Sequence, residues 1–186
     1  FPIPVYFPQM TSRKWLDENQ QFNGLSYTFK RTKKCPTCQY GTSLNPHSDS
    51  TPKDLILTVL VGYSTNAMTF VRTLRSTQCK ASIVFLAEDK ILQNFTSLEK
   101  SVFDKCSVTL INIGQLYSPY KDHIYEARHV LLYTFIKTFR KKFNRIYVAD
   151  VFDIIFQSDP FVPEFNQHTM GFTTEGYYNN NDPTNN

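Results

Sequence analysis

A chain of 186 residues that is 41% hydrophobic and 19% charged, with 16 Phe and 11 Tyr, has a globular composition and lies outside the disordered and collagen-like classes. Its formal charge of +4, from 20 basic and 16 acidic residues, is too small an excess to supply the concentrated basic face of a nucleic-acid reader, so no nucleic-acid partner is expected. No apolar run approaches the roughly 20 residues that cross a bilayer, and the length suits one domain with extensions rather than an enzyme with separate donor and acceptor halves.

Residues 1–53 lack sustained periodicity and carry Pro2, Pro4, Pro8, Pro36, Pro46 and Pro52, which reads as an irregular N-terminal arm or linker. Its basic knot, Lys30-Arg31-Thr32-Lys33-Lys34, is read as a solvated face. Beyond it, residues 54–186 alternate short apolar runs with longer helical stretches, the pattern of βαβ units covered on both faces. The first strand runs from Leu55 to Val61 and closes at Gly62, after which Ser64 is placed to cap a helix bearing Met68, Val71 and Leu74. Ala81 to Leu86 forms the second strand, Ile91 to Phe103 a helix with Leu98 and Val102 four apart, and Ser107 to Ile111 the third strand. Ile124 to Phe139 aligns Ala127, Leu131, Leu132, Phe135 and Phe139 on one stripe of a long helix, with Lys137, Arg140, Lys141 and Lys142 at the end where cations suit the helix dipole. Arg145 to Ala149 reads as a buried strand running straight into Asp150. The fold class expected is α/β, an open, doubly wound, mostly parallel sheet of Rossmann-like form.

The four cysteines are too few for a disulfide scaffold. Cys79 and Cys106 precede the second and third strands, so they enter a parallel sheet at the same end, either as a bridge or as two separately buried thiols. Cys35-Pro36-Thr37-Cys38 is half of a zinc site with no second half, and it lacks the strand-to-helix setting of a redox motif. A local disulfide or unpaired thiols are preferred there. Asn94-Phe95-Thr96 is a glycosylation sequon if the chain enters the secretory route. A chain beginning at Phe1 leaves room for an upstream signal peptide or membrane anchor.

The segment richest in chemistry runs from Tyr147 to Phe161, where Asp150, Asp153 and Asp159 interrupt an apolar run. In open α/β sheets ligands bind beyond the carboxyl ends of the strands, which is where Asp150 falls. A desolvated carboxylate needs a compensating partner, and a divalent cation is a suitable one. Oxygen donors suit Mg2+ or Mn2+, which keep positions open for water and diphosphate oxygens. The plain alternative is that Asp150 and Asp153 cap turns or pair with arginines.

The whole segment, Asp150-Val151-Phe152-Asp153-Ile154-Ile155-Phe156-Gln157-Ser158-Asp159-Pro160-Phe161, resembles the metal-binding region of GT-A-fold nucleotide-sugar glycosyltransferases. It is most similar to eukaryotic glycosyltransferases whose pattern runs approximately D-x-R-D-x-x-F-Q-x-D-P-F, and Phe152 replaces the usual arginine. The order of the first strand, the helix bearing Arg128 and the Gly171-Phe172-Thr173-Thr174-Glu175 stretch extends the resemblance over residues 54–186. It implies a domain that lacks its C-terminal acceptor half. Asp150 and Asp153 would hold Mn2+ or Mg2+, Gly62, Tyr63, Ser64 and Asn66 would face the nucleotide, and Arg128 would approach the diphosphate. Arg128 is equally readable as a surface ion-pair residue, Tyr63 as a shield of the sheet end, and Glu175 as either an acidic group near the acceptor or a surface carboxylate. The implied reaction moves a sugar from a nucleotide-diphosphate donor to an acceptor hydroxyl on a glycan or glycoprotein, in the lumen of the Golgi or endoplasmic reticulum. Metal and arginine would stabilise the leaving diphosphate, and inversion or retention is left open. The alternative, prompted by Phe152 and the chain length, is a catalytically inactive GT-A-like domain that binds protein partners in an assembly. A dinucleotide oxidoreductase is disfavoured because no G-x-G-x-x-G follows the first strand.

Overall fold

The computed structural model describes residues 35–37, 48–62, 66–116 and 123–166. Four strands, β1 (Asp54–Leu60), β2 (Ser82–Ala87), β3 (Val108–Asn112) and β4 (Arg145–Val148), form one sheet in the order β3-β2-β1-β4. All three pairings are parallel, with Leu57 opposite Val84 on one side and Val148 on the other. The helices are α1 (Ala67–Ser76), α2 (Asp89–Asn94), α3 (Ser97–Lys105) and α4 (Ile124–Phe139), the last followed by a 3-10 turn over Arg140–Lys142. The α/β class and the parallel sheet expected from the strand pattern are therefore present.

β1 is buried along its whole length, as an apolar strand between two neighbours must be when helices cover both faces. Its alternate residues serve two cores. Ile56 and Leu60 face a core made with Phe70, Val71 and Leu74 of α1 and Val102 and Phe103 of α3. Leu55, Leu57, Val59 and Val61 face Ala127, Leu131, Phe135 and Phe139 of α4. The stripe read from α4 is the stripe it buries, Leu132 alone being only half-buried. Within the first core, edge-on rings run Phe156, Phe70, Phe85, Phe103 and Phe95, with successive centroids 5.0, 6.1, 5.7 and 4.9 Å apart. Each such contact adds about 0.5–1.5 kcal/mol beyond area burial.

Several local expectations need correction. The single helix over Ile91 to Phe103 is two helices, broken at Phe95 and Thr96, where both residues adopt extended backbone. Thr96 caps α3: its hydroxyl accepts from Glu99 N–H (3.2 Å) while Glu99 Oε2 accepts from Thr96 N–H (2.8 Å), a capping box stronger than the apolar period across the break. Leu98 is consequently 64% exposed while Val102 is buried. β4 is half-buried rather than buried, since among the described residues it pairs only with β1 and leaves Val148 46% exposed. Ser64 lies outside the described residues, and the residue that precedes α1 is Asn66, whose carbonyl accepts from Phe70 N–H at 2.9 Å.

The cysteines also pair differently from either expectation. Cys35 is bonded to Cys106, and Cys79 is a buried free thiol. Cys106 caps the end of α3 and meets the arm rather than the preceding strand, so the Cys79–Cys106 bridge and the local Cys35–Cys38 bridge are both excluded. Other parts of the arm are fastened as well. Arg72 of α1 donates to the carbonyls of Pro36 (3.2 Å) and Thr37 (3.1 Å). Buried Arg75 donates to the carbonyls of Cys79 (2.7 Å), Ala81 (2.8 Å) and Cys106 (3.0 and 3.2 Å), tying α1 to the entrances of β2 and β3. Among the described residues no helix is long and apolar enough to cross a membrane.

Candidate functional site

Chain order and strand order part company between β1 and β4. From β1 the chain builds outward through β2 to β3, then returns with α4 across the other face to lay β4 against the opposite side of β1. This reversal is a topological switch point, the place beyond the strands' carboxyl ends at which open α/β sheets as a class receive their ligands. Gly62 and Asn66 follow β1, and Asp150 and Asp153 follow β4, so four of the residues singled out by sequence stand on the two rims.

The rims are joined by direct contacts. Asn66 sits in the left-handed region at φ 70°, which Asn tolerates better than most residues. Its side chain makes no helix cap and donates instead to Phe152 C=O at 2.7 Å. Asp150 turns the opposing loop by accepting Phe152 N–H on Oδ1 (3.3 Å). Its Oδ2 accepts Arg128 Nη2 at 2.6 Å, and the Arg128 guanidinium lies 6.0 Å from the centre of the Phe152 ring. Arg128, Asp150, Phe152 and Asn66 thus form one connected cluster drawn from α4, the β4 loop and the β1 loop. Asp153, three residues beyond Asp150, is exposed and is not hydrogen-bonded or ion-paired among the described residues. Tyr63, Ser64 and Glu175 lie outside the described residues.

Glu88 was not foreseen. It directly follows β2 and donates its own N–H to Leu60 C=O (3.1 Å). Its carboxylate accepts Gly62 N–H on Oε2 (2.9 Å) and Leu116 N–H on Oε1 (3.0 Å), linking the loops that leave β1 and β3. Gly62 has φ 83°, a conformation that costs glycine little and side-chain-bearing residues more. The same rule that drew attention to Asp150, an acidic residue at the carboxyl end of a strand, would have found Glu88.

The second half of the aspartate-rich segment is architectural. Phe156 and Phe161 are buried, and Tyr147 packs edge-on to both, with ring centroids 6.3 and 6.4 Å away. Asp159 is buried and accepts from Ser48 Oγ, from Ser50 N–H (3.2 Å) and from Phe161 N–H (3.1 Å), so it pins the arm to the sheet. Arg145 of β4 forks onto Asp54 of β1 (Nε to Oδ1 2.9 Å, Nη2 to Oδ2 2.8 Å) and donates to the carbonyls of Asp49, Val162 and Phe165. Burial alone would raise the Asp54 pKa, but the Arg145 and Thr51 hydrogen bonds outweigh it and hold the carboxyl below the ordinary aspartate value of 3.8.

As to metal binding, no group of three or more His, Cys, Asp or Glu side chains gathers as a cage among the described residues. The donor chemistry at the β4 loop nevertheless suits a cation that takes one or two carboxylates and completes its shell with water and phosphate oxygens. A carboxylate offers about four lone-pair sites, and the two contacts of Asp150 leave acceptor capacity on both oxygens. Comparison with protein-family models, with curated proteins and with solved structures finds no match.

Proposed function

We propose that this chain is the nucleotide-sugar-binding domain of a GT-A-like glycosyltransferase, moving a sugar from a nucleotide-diphosphate donor to an acceptor hydroxyl on a glycan or glycoprotein in the Golgi or endoplasmic reticulum lumen. The observation that carries the reading is the convergence of Asn66, Arg128 and Asp150 on the β1/β4 switch point, the crevice where an open parallel sheet receives a nucleotide. The Gly62 to Asn66 loop would line the nucleotide side, Arg128 would turn its guanidinium to the diphosphate, and Asp150 and Asp153 would hold Mn2+ or Mg2+. The cation would supply positive charge against the departing diphosphate. Phe152 holds its loop to α4 through Arg128 and to the β1 loop through its carbonyl, so the residue that replaces the family's arginine keeps the cluster assembled by other means.

A second reading is favoured by one specific contact. Arg128 neutralises Asp150 in a 2.6 Å ion pair, so this carboxylate has a partner within the chain and needs no cation to balance it, as suits a domain that serves an assembly of proteins. Calorimetric titration of the chain with nucleoside diphosphates, with and without manganese, separates the two. The glycosyltransferase reading expects metal-dependent binding that Asp150→Ala and Asp153→Ala each abolish. Absence of binding at every metal concentration, with the fold intact by circular dichroism, leaves the inactive reading.

A further inference from the structure

The bend between α2 and α3 joins two observations that do not depend on the nucleotide site. Asn94 is the last residue of α2 and is exposed. Phe95, next in the chain, turns inward, 4% exposed and edge-on to Phe103 at 4.9 Å. With Phe95 anchored inside and the backbone extended through Phe95 and Thr96, the flanking Asn94 and Thr96 are both exposed. No described residue hydrogen-bonds the Asn94 amide. The sequon Asn94-Phe95-Thr96 is thus displayed at a surface bend, with its middle residue serving as the anchor. The second observation is the Cys35–Cys106 disulfide. Disulfides form and persist in oxidising compartments and are rare in the cytosol, and those compartments are where asparagine is glycosylated.

From these we infer that Asn94 carries an N-linked glycan. The Asn94 side-chain nitrogen forms a bond to the anomeric carbon of an oligosaccharide carried on a lipid diphosphate. It loses one amide proton, and the lipid diphosphate departs with the electrons of the broken sugar–oxygen bond. The folded bend also fixes when this happens. The Thr96 hydroxyl accepts from Glu99 N–H (3.2 Å) and donates to Glu99 Oε2 (2.8 Å), so once α3 has closed, the hydroxyl of the sequon is engaged. Modification therefore acts on the emerging chain, before the capping box forms, and the finished fold leaves the attached glycan in solvent without disturbing Phe95.

The test is mass spectrometry of the tryptic peptide Ile91–Lys100 from the full protein isolated from its own source, treated with peptide N-glycosidase in heavy-oxygen water. The expected result is enzyme-dependent deamidation with heavy-oxygen incorporation at Asn94 in most of the recovered peptide. In the full chain sent through the secretory pathway of cultured cells, Asn94→Gln removes one glycosidase-sensitive mobility step, Thr96→Ser keeps it, and both variants retain the wild-type circular dichroism spectrum. Refolded unglycosylated chain offered to the same membranes remains unmodified. Recovery of Ile91–Lys100 wholly unmodified from protein whose Cys35–Cys106 bond is formed overturns the inference, as does finding Cys35 and Cys106 as free thiols in that source. Either failure leaves the nucleotide-binding proposal to be decided by its own titration.

Discussion

Replacing Arg145 by Met removes the charge at the joint between β1 and β4 while keeping a side chain of similar reach. Asp54 is 1% exposed, so its carboxylate stays buried with only the Thr51 backbone and hydroxyl as donors. Breaking a buried pair by removing one partner costs about 3–5 kcal/mol, a large part of the 5–15 kcal/mol that holds a typical domain together. At about 2–4 °C per kcal/mol for a chain of this size, the melting temperature should fall by roughly 6–20 °C. The pH dependence carries the sharper signature. In the wild type the Asp54 pKa lies below 3.8, so its stabilising contribution is fully present above that value and is lost as pH falls through the folded-state value. In Arg145→Met, burial is opposed only by Thr51, the folded-state pKa rises, and the deficit is greatest at neutral pH and shrinks as pH falls towards 3.8. Urea unfolding of both proteins between neutral and acid pH reads the difference directly, and the Asp54→Asn, Arg145→Met double variant should recover part of the loss. A loss below about 1 kcal/mol with an unchanged pH profile would mean that the pair behaves as an exposed salt bridge, refuting the buried-joint reasoning.

Three further outcomes follow from the packing. Cys35→Ser opens a cross-link between residues 71 apart in sequence and should cost about 4 kcal/mol by chain entropy, read as a lower urea midpoint that reducing agent reproduces in the wild type. The Cys79 thiol, pushed up to about 12 chiefly by burial, should resist maleimide at neutral pH in the native protein and label at that position only on unfolding, as peptide mapping would show. Thr58 lies fully buried in β1 with no partner for its hydroxyl among the described residues, so Thr58→Val should raise stability by about 1 kcal/mol, whereas a loss would reveal a bond to that hydroxyl.

Much of the scaffold could be read from periodicity because burial on this fold is regular. The helix read from Ile124 to Phe139 matches α4 at both ends, since its apolar stripe meets the apolar face of β1 and β2. β1 begins one residue earlier than its apolar run because Asp54, a charged residue, is drawn inside by Arg145, ninety-one positions away. The break at Phe95 and Thr96 was written locally as Thr96 with Glu99, but continuous hydrophobic spacing obscured it. Long-range pairings were illegible for a different reason: nothing in the spacing of Cys35, Cys79 and Cys106 states which two meet. At the candidate site, Asn66, Arg128 and Asp150 were each singled out, yet that Arg128 would grip Asp150 depends on how α4 crosses the sheet. Asp159, which was given no role beyond interrupting the same apolar run, secures Ser48 and Ser50 of the arm.

The central claim is that the crevice between the β1 and β4 loops receives a nucleoside diphosphate together with a divalent cation. Paramagnetic broadening of backbone amide signals by Mn2+ in the presence of a nucleoside diphosphate locates both at once. The account predicts that the amides of Gly62, Asn66, Phe152 and Asp153 broaden first and together, that omitting the nucleotide weakens the effect, and that Asp150→Ala removes it. Broadening centred elsewhere on the chain, or none at saturating manganese and nucleotide, would contradict it.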